Sequence, residues 1–106
     1  MRSVIVRYKV KPDLADENER LVRAVFAELA REAPAGLRYQ SFRLPDGVSF
    51  LHVATIDTAD GSNPLLAIEA FKRFSGTVKD RCEEQPVTTE LVEVGAYSSP
   101  GAAAVR

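Results

Sequence analysis

With 106 residues, 45% of them hydrophobic, the chain has the size and composition of one globular domain, and 14 basic against 15 acidic residues leave a net charge of -1. So small a charge sets up no field that would gather phosphates or acidic lipids, which argues against nucleic acid or a membrane surface as a partner. The single cysteine, Cys82, rules out an internal disulfide, and with only one histidine, His52, there is no zinc-site spacing and no metal is expected.

Residues Ser3 to Val10 alternate, with Val4, Val6, Tyr8 and Val10 on one face and Ser3, Ile5, Arg7 and Lys9 on the other, as in a half-buried strand. Lys11-Pro12-Asp13 breaks this pattern. From Leu14 the apolar residues Leu21, Val22, Val25, Phe26 and Leu29 recur at helical period, which predicts a helix to about Ala33. Asp13 is its candidate N-cap, and Pro34 and Gly36 end it. Leu37 to Leu44 and Val48 to Ile56 are β-rich runs around Leu44-Pro45-Asp46-Gly47-Val48, the signature of a hairpin. A three-residue loop with its bulge at Gly47 sets Leu44 opposite Val48, Phe42 opposite Phe50 and Gln40 opposite His52.

Asn63-Pro64 reads as a cap followed by proline in the first helical turn, opening a helix striped by Ile68, Phe71, Phe74, Val78 and Cys82. Gly76 predicts a break into two short helices. Val87 to Tyr97 supplies the last strand, and Ser98 to Arg106 is expected to be a mobile tail, so that residues 1–97 form the single domain. The order β-α-β-β-α-β gives an α+β, ferredoxin-like fold: a four-stranded antiparallel sheet in spatial order 4-1-3-2 with both helices on one face. The third strand is apolar on both parities, Phe50, Ala54 and Ile56 against Leu51 and Val53. The second sheet face is therefore expected to pack on another copy, giving a homodimer. Met1-Arg2 leads into strand-like sequence rather than a signal core, and no apolar run approaches the ~18 residues of a membrane span. A cytoplasmic protein, neither exported nor membrane-embedded, is the expectation.

His52 is the natural candidate for proton transfer near neutral pH, although a lone histidine in a strand is also a common packed residue. Gln40, its predicted cross-strand neighbour, would fix its tautomer. Tyr8 shares the helix-facing side of the sheet with it, and Phe26 and Phe71 arrive from the helices, either lining a small aromatic pocket or filling the core. Arg7, Tyr39 and Arg43 alternate away from that face, toward a partner subunit or a carboxylate. Asp16, Glu17 and Glu19 read as a wet helix face, and Cys82 as a small core residue that would become reactive only if exposed beside Arg81. The sequence holds no Gly-rich phosphate loop and no nucleophile elbow.

The element order, the opening Val4-Ile5-Val6-Arg7-Tyr8-Lys9-Val10-Lys11-Pro12 and the segment Phe50-Leu51-His52-Val53-Ala54-Thr55-Ile56 resemble the antibiotic-biosynthesis-monooxygenase-like group of dimeric α+β barrel proteins. The resemblance spans roughly Ser3 to Tyr97. It implies a homodimer whose ligand lies between each sheet and its own helices. Activities in that group include cofactor-independent oxygenation of polycyclic phenols, haem degradation and isomerisation of small metabolites. The haem-degrading branch uses an asparagine on the first strand, a tryptophan late in the third and a histidine on the second helix. Here the nearest positions are Val6 and Ile56, the second helix has no histidine and the chain no tryptophan, so haem degradation is not implied. Cofactor-free oxygenation would cast His52 as the base, with Tyr8 and Gln40 orienting the substrate or its enolate. Two further readings stand beside it: a binding module that carries or senses a metabolite, and a structural dimer whose sheet–helix space is filled by Tyr8, Phe26, Phe42, Phe50 and Phe71.

Overall fold

The computed structural model describes residues 1–101; of the expected tail, residues 102–106 lie outside the described residues. β1 (Arg2–Val10) buries Tyr8 and Val10 on one side and leaves Arg7 exposed on the other. A 3-10 turn, Pro12–Leu14, then leads into α1 (Ala15–Glu32). Asp13 is thereby absorbed into the turn that Pro12 opens, and Leu14 stands at the N-cap with no side-chain bond, so the expected Asp13 cap does not form. Ala15, Asn18, Val22 and Val25 are the buried residues of α1, at the three- and four-residue steps of one helix face. The helix closes on Ala33, whose φ of 45° is left-handed and whose N–H donates to the Leu29 carbonyl at 2.8 Å.

β2 (Leu37–Arg43) and β3 (Ser49–Ile56) pair with Ser41 opposite His52, Gln40 opposite Val53 and Arg43 opposite Phe50. This is one residue away from the expected register. The cause is Asp46, whose carboxylate accepts from the Val48 N–H at 3.0 Å, the Ser49 N–H at 2.9 Å and the Ser49 hydroxyl at 2.6 Å. Val48 is held in the loop, Leu44 donates its N–H to the Ser49 carbonyl at 2.9 Å, and the connection lengthens from three residues to four. Because side chains alternate, that single residue turns Tyr39, Ser41 and Arg43 toward the helices and Gln40 and Phe42 away from them.

Asn63 caps a second 3-10 turn, Pro64–Ala67, accepting the Leu65 N–H at 3.0 Å. Ile68 interrupts the helical path with ψ 118°, and α2 (Glu69–Arg81) then runs without a break at Gly76. Gly76 faces open space, so the helix bears only the ~1 kcal/mol propensity cost of a glycine there. The start of α2 is held from α1: the Glu28 carboxylate accepts from the N–H groups of Glu69 and Ala70, at 3.1 and 2.8 Å. β4 (Cys82–Leu91) follows with no loop, because Cys82 leaves helical space at ψ 138° and pairs with Val10. The strand thus begins before the expected Val87 and ends before Tyr97.

The sheet is antiparallel throughout, in order β2-β3-β1-β4, which is the 4-1-3-2 order expected. The core lies between it and the helices: Tyr8, Val10, Phe50 and Ala54 from the strands meet Val22 and Val25 of α1 and Phe74 and Val78 of α2. The opposite sheet face carries Ile5, Leu51 and Val53 partly buried, with Phe42, Val87 and Leu91 exposed. Among the described residues no helix is long and apolar enough to cross a membrane.

Candidate functional site

His52 stands at the centre of β3, only 4% exposed, with β1 on one side and β2 on the other. Tyr8, two residues beyond the Val6 that pairs with His52 on β1, brings its hydroxyl to 2.7 Å from His52 Nε2. On the β2 side the Tyr39 hydroxyl and the Ser41 hydroxyl both lie 2.7 Å from Nδ1. Tyr8 and Tyr39 also stack on the imidazole, with centroids 5.3 and 5.8 Å away, so the ring is held by packing as well as by hydrogen bonds. Burial pushes the His52 pKa down to about 4, which makes the imidazole neutral at physiological pH. Burial likewise raises both tyrosine hydroxyls, Tyr39 to about 12.

The polar cluster continues inward. Asn18 of α1, with no exposed surface, directs its amide nitrogen at the Tyr8 hydroxyl at 2.8 Å, and its carbonyl oxygen accepts from Arg81 Nε at 2.9 Å. Arg81 is 6% exposed and gives its other donors to the Thr77 hydroxyl at 2.6 Å and the Phe74 carbonyl at 3.1 Å, while its guanidinium lies 5.5 Å from the Phe74 ring centroid. Five side chains from both helices and three strands thus form one buried chain, Arg81, Asn18, Tyr8, His52 and Tyr39, with Ser41 alongside Tyr39. Among the described residues no buried side-chain polar atom lacks a partner.

Beside this chain is a partly open cavity of about 240 Å³. Tyr8, His52 and Tyr39 supply its polar wall, Val4, Val6, Ala54, Phe71, Phe74 and Val78 the apolar ones, and Asn63, Ser75 and Lys79 also line it. Sheet and helices therefore enclose a space instead of closing completely over it. Phe42, expected among the residues that fill this space, is 47% exposed on the far face.

Of the residues singled out from sequence, Tyr8 and His52 are brought together and Gln40 is not. Gln40 pairs with Val53 on the far face, and Ser41 takes the place expected for it. Tyr39, expected to face away, is part of the site for the same reason of register. Arg43, also turned inward, bonds Asp16 at 3.1 Å and Glu19 at 2.9 Å, so two carboxylates of the acidic run tie α1 to β2. Cys82 is buried, and desolvation raises its thiol pKa, as befits an inert core residue. Among the described residues no three His, Cys, Asp or Glu side chains gather where they could hold a metal ion.

Neither a family model nor a curated protein matches the sequence. Solved structures do match the fold. An antibiotic biosynthesis monooxygenase aligns over 90% of this chain and 100% of its own, with a TM-score of 0.72 at 21% identity. SnoaB of Streptomyces nogalater, a cofactor-independent oxygenase, aligns over 92% and 97% with a TM-score of 0.67 at 17% identity. A protein of unknown function from Nitrosomonas europaea aligns over 94% and 95% with a TM-score of 0.71 at 12% identity. What is shared at such identities is the backbone architecture. The chain has the antibiotic-biosynthesis-monooxygenase-like fold, an α+β ferredoxin-like arrangement of two helices on a four-stranded antiparallel sheet.

Proposed function

We propose that the protein is a homodimeric, monooxygenase-like enzyme that acts without a cofactor on a small aromatic metabolite carrying a phenolic hydroxyl. The observation that carries this reading is the buried Tyr8–His52 pair, 2.7 Å apart, on the wall of a largely apolar cavity. At about 240 Å³ the cavity falls just below the roughly 300–1,000 Å³ usual for drug-sized ligands, which suits one or two fused rings. The likeness to SnoaB, whose description is that of a cofactor-independent oxygenase, supports the class of reaction.

In this reading the phenol gives its proton to the His52–Tyr8 pair, and its anion, held in a dry pocket, has carbanion character at the para carbon. Dioxygen, the co-reactant, takes electrons from that anion and bonds to the same carbon. Loss of water then leaves a quinone, so that one phenol and one dioxygen give one quinone and one water. His52 is a weak base when the cavity is empty, but an anion forming beside it favours its protonated state. Oxygen uptake with a panel of phenols and naphthols is expected to reveal at least one substrate, with kcat/KM lowered by ~100-fold or more in His52→Ala. Equal uptake by wild type and His52→Ala would remove His52 from the reaction. The engagement of both ring nitrogens of His52 favours a second reading, a non-catalytic binding module, and ligand binding with no oxygen uptake would select it.

A further inference from the structure

We propose that the buried Arg81 guanidinium, acting through Asn18, sets the direction of the whole hydrogen-bond chain, holding His52 as the Nδ1–H tautomer and making Tyr8 the group that meets the ligand's proton. The inference rests on the site described above and deepens the proposed function. The direction follows from one fact of chemistry, that a guanidinium only donates. The Asn18 atom facing Arg81 Nε at 2.9 Å must therefore be its oxygen, which leaves the amide nitrogen to donate to Tyr8 Oη at 2.8 Å. Tyr8 Oη accepts there, and its own hydrogen has an acceptor at 2.7 Å in His52 Nε2. A neutral imidazole has one proton, so that proton is on Nδ1, where the Tyr39 and Ser41 hydroxyl oxygens stand at 2.7 Å.

The opposite direction is disfavoured by where it would leave a hydrogen without an acceptor. If Nε2 carried the proton, both side-chain partners of Tyr8 Oη, Asn18 and His52, would donate to it, and the hydroxyl hydrogen of a residue only 2% exposed would be left without a protein acceptor beside a largely apolar cavity. In the direction proposed, the spare hydroxyl hydrogen falls on the Tyr39–Ser41 pair, and half-buried Ser41 also borders open surface clefts where water can reach it. His52 then has no lone pair free for a ligand. A phenol passes its proton to Tyr8 Oη as the Tyr8 proton moves to Nε2, one O–H bond breaking and one N–H bond forming at the two ends of the relay. Arg81 and Asn18 touch neither ligand nor imidazole and are positioning residues.

Since His52 is the sole histidine, protein labelled with 15N-histidine has a single imidazole to observe. Long-range proton–nitrogen correlation on ligand-free protein near pH 7.5 is expected to show a protonated Nδ1 and an unprotonated Nε2. In Asn18→Asp the carboxylate pairs with Arg81 and accepts the Tyr8 proton, so the chain reverses and Nε2 becomes the protonated nitrogen. A change of about tenfold or more in the tautomer ratio corresponds to one net hydrogen bond. An Nε2–H imidazole in wild type, or an unchanged Nδ1–H imidazole in folded Asn18→Asp, overturns the proposal; should the variant not fold, the wild-type spectrum alone decides. The measurement needs no substrate, so failure of every phenol to support oxygen uptake removes the enzymatic reading and leaves the tautomer result standing.

Discussion

At the scale of single residues, the protein keeps an ionisable ring where it cannot easily charge. His52 is buried, and its pKa falls from an ordinary 6.5 to about 4. Above pH 6.5 the imidazole is neutral whether the chain is folded or not, and the histidine adds no pH dependence. Between about 6.5 and 4 the unfolded chain binds a proton that the native state refuses, so stability falls as the pH falls through that window. At ~1.4 kcal/mol for each pH unit between the two values, the full loss comes to roughly 3.5 kcal/mol. Urea unfolding at pH 7 and pH 4.5 is expected to show most of this difference in wild type and little of it in His52→Gln. The carboxylates Glu28 and Asp46, held low by their partners, begin to lose their contribution as the pH falls into the ordinary carboxylate range at the bottom of that window, and they do so in both proteins alike. Alternation along β1 and β3 was enough to put Tyr8 on the same helix-facing side of the sheet as His52, though not to show that the two touch. Gln40 was misplaced because the Asp46 bonds that lengthen the hairpin loop depend on one side chain's reach, to which β-propensity is blind. Asn18 and Arg81 were legible in principle, since each occupies a core step of its helix, 18-22-25 and 74-78-81. A polar residue on an apolar stripe is the signal of a buried network, and charge density alone hides it.

At the scale of elements, the two helices show what glycine costs and where it is needed. Gly76 lies inside α2 with nothing within 4 Å of the position a Cβ would take, so Gly76→Ala is expected to raise stability by ~0.5–1 kcal/mol. Gly36 has φ +77°, and a Cβ there would stand 2.8 Å from the Asp57 carbonyl oxygen. Gly36→Ala is expected to lower stability by more than Gly76→Ala raises it, which paired denaturant midpoints measure directly. Equal effects of the two would contradict the backbone geometry described. Helix and strand identities were legible because amphipathic spacing is a local property. The start of β4 was not, since Cys82-Glu83-Glu84 continues a helical stripe and only long-range pairing with β1 turns it into strand.

At the scale of the whole molecule, the sheet has one face covered by helices and one that carries Ile5, Phe42, Leu51, Val53, Val87 and Leu91 toward solvent. A second copy packed there would complete the proposed homodimer, and light scattering is expected to give twice the chain mass for wild type and the single mass for Val53→Asp. A stable wild-type monomer at low concentration would contradict it. The central claim concerns the cavity at His52, and thermal shift tests it most directly, because a ligand that binds only the folded state must raise the Tm. In a screen of phenols, quinones and small aromatic acids, at least one phenolic compound is expected to raise the Tm of wild type and to lose that effect in His52→Ala and Tyr8→Phe. No shift across the panel in wild type, with His52→Ala merely less stable, would contradict the account and make His52 a residue of the core.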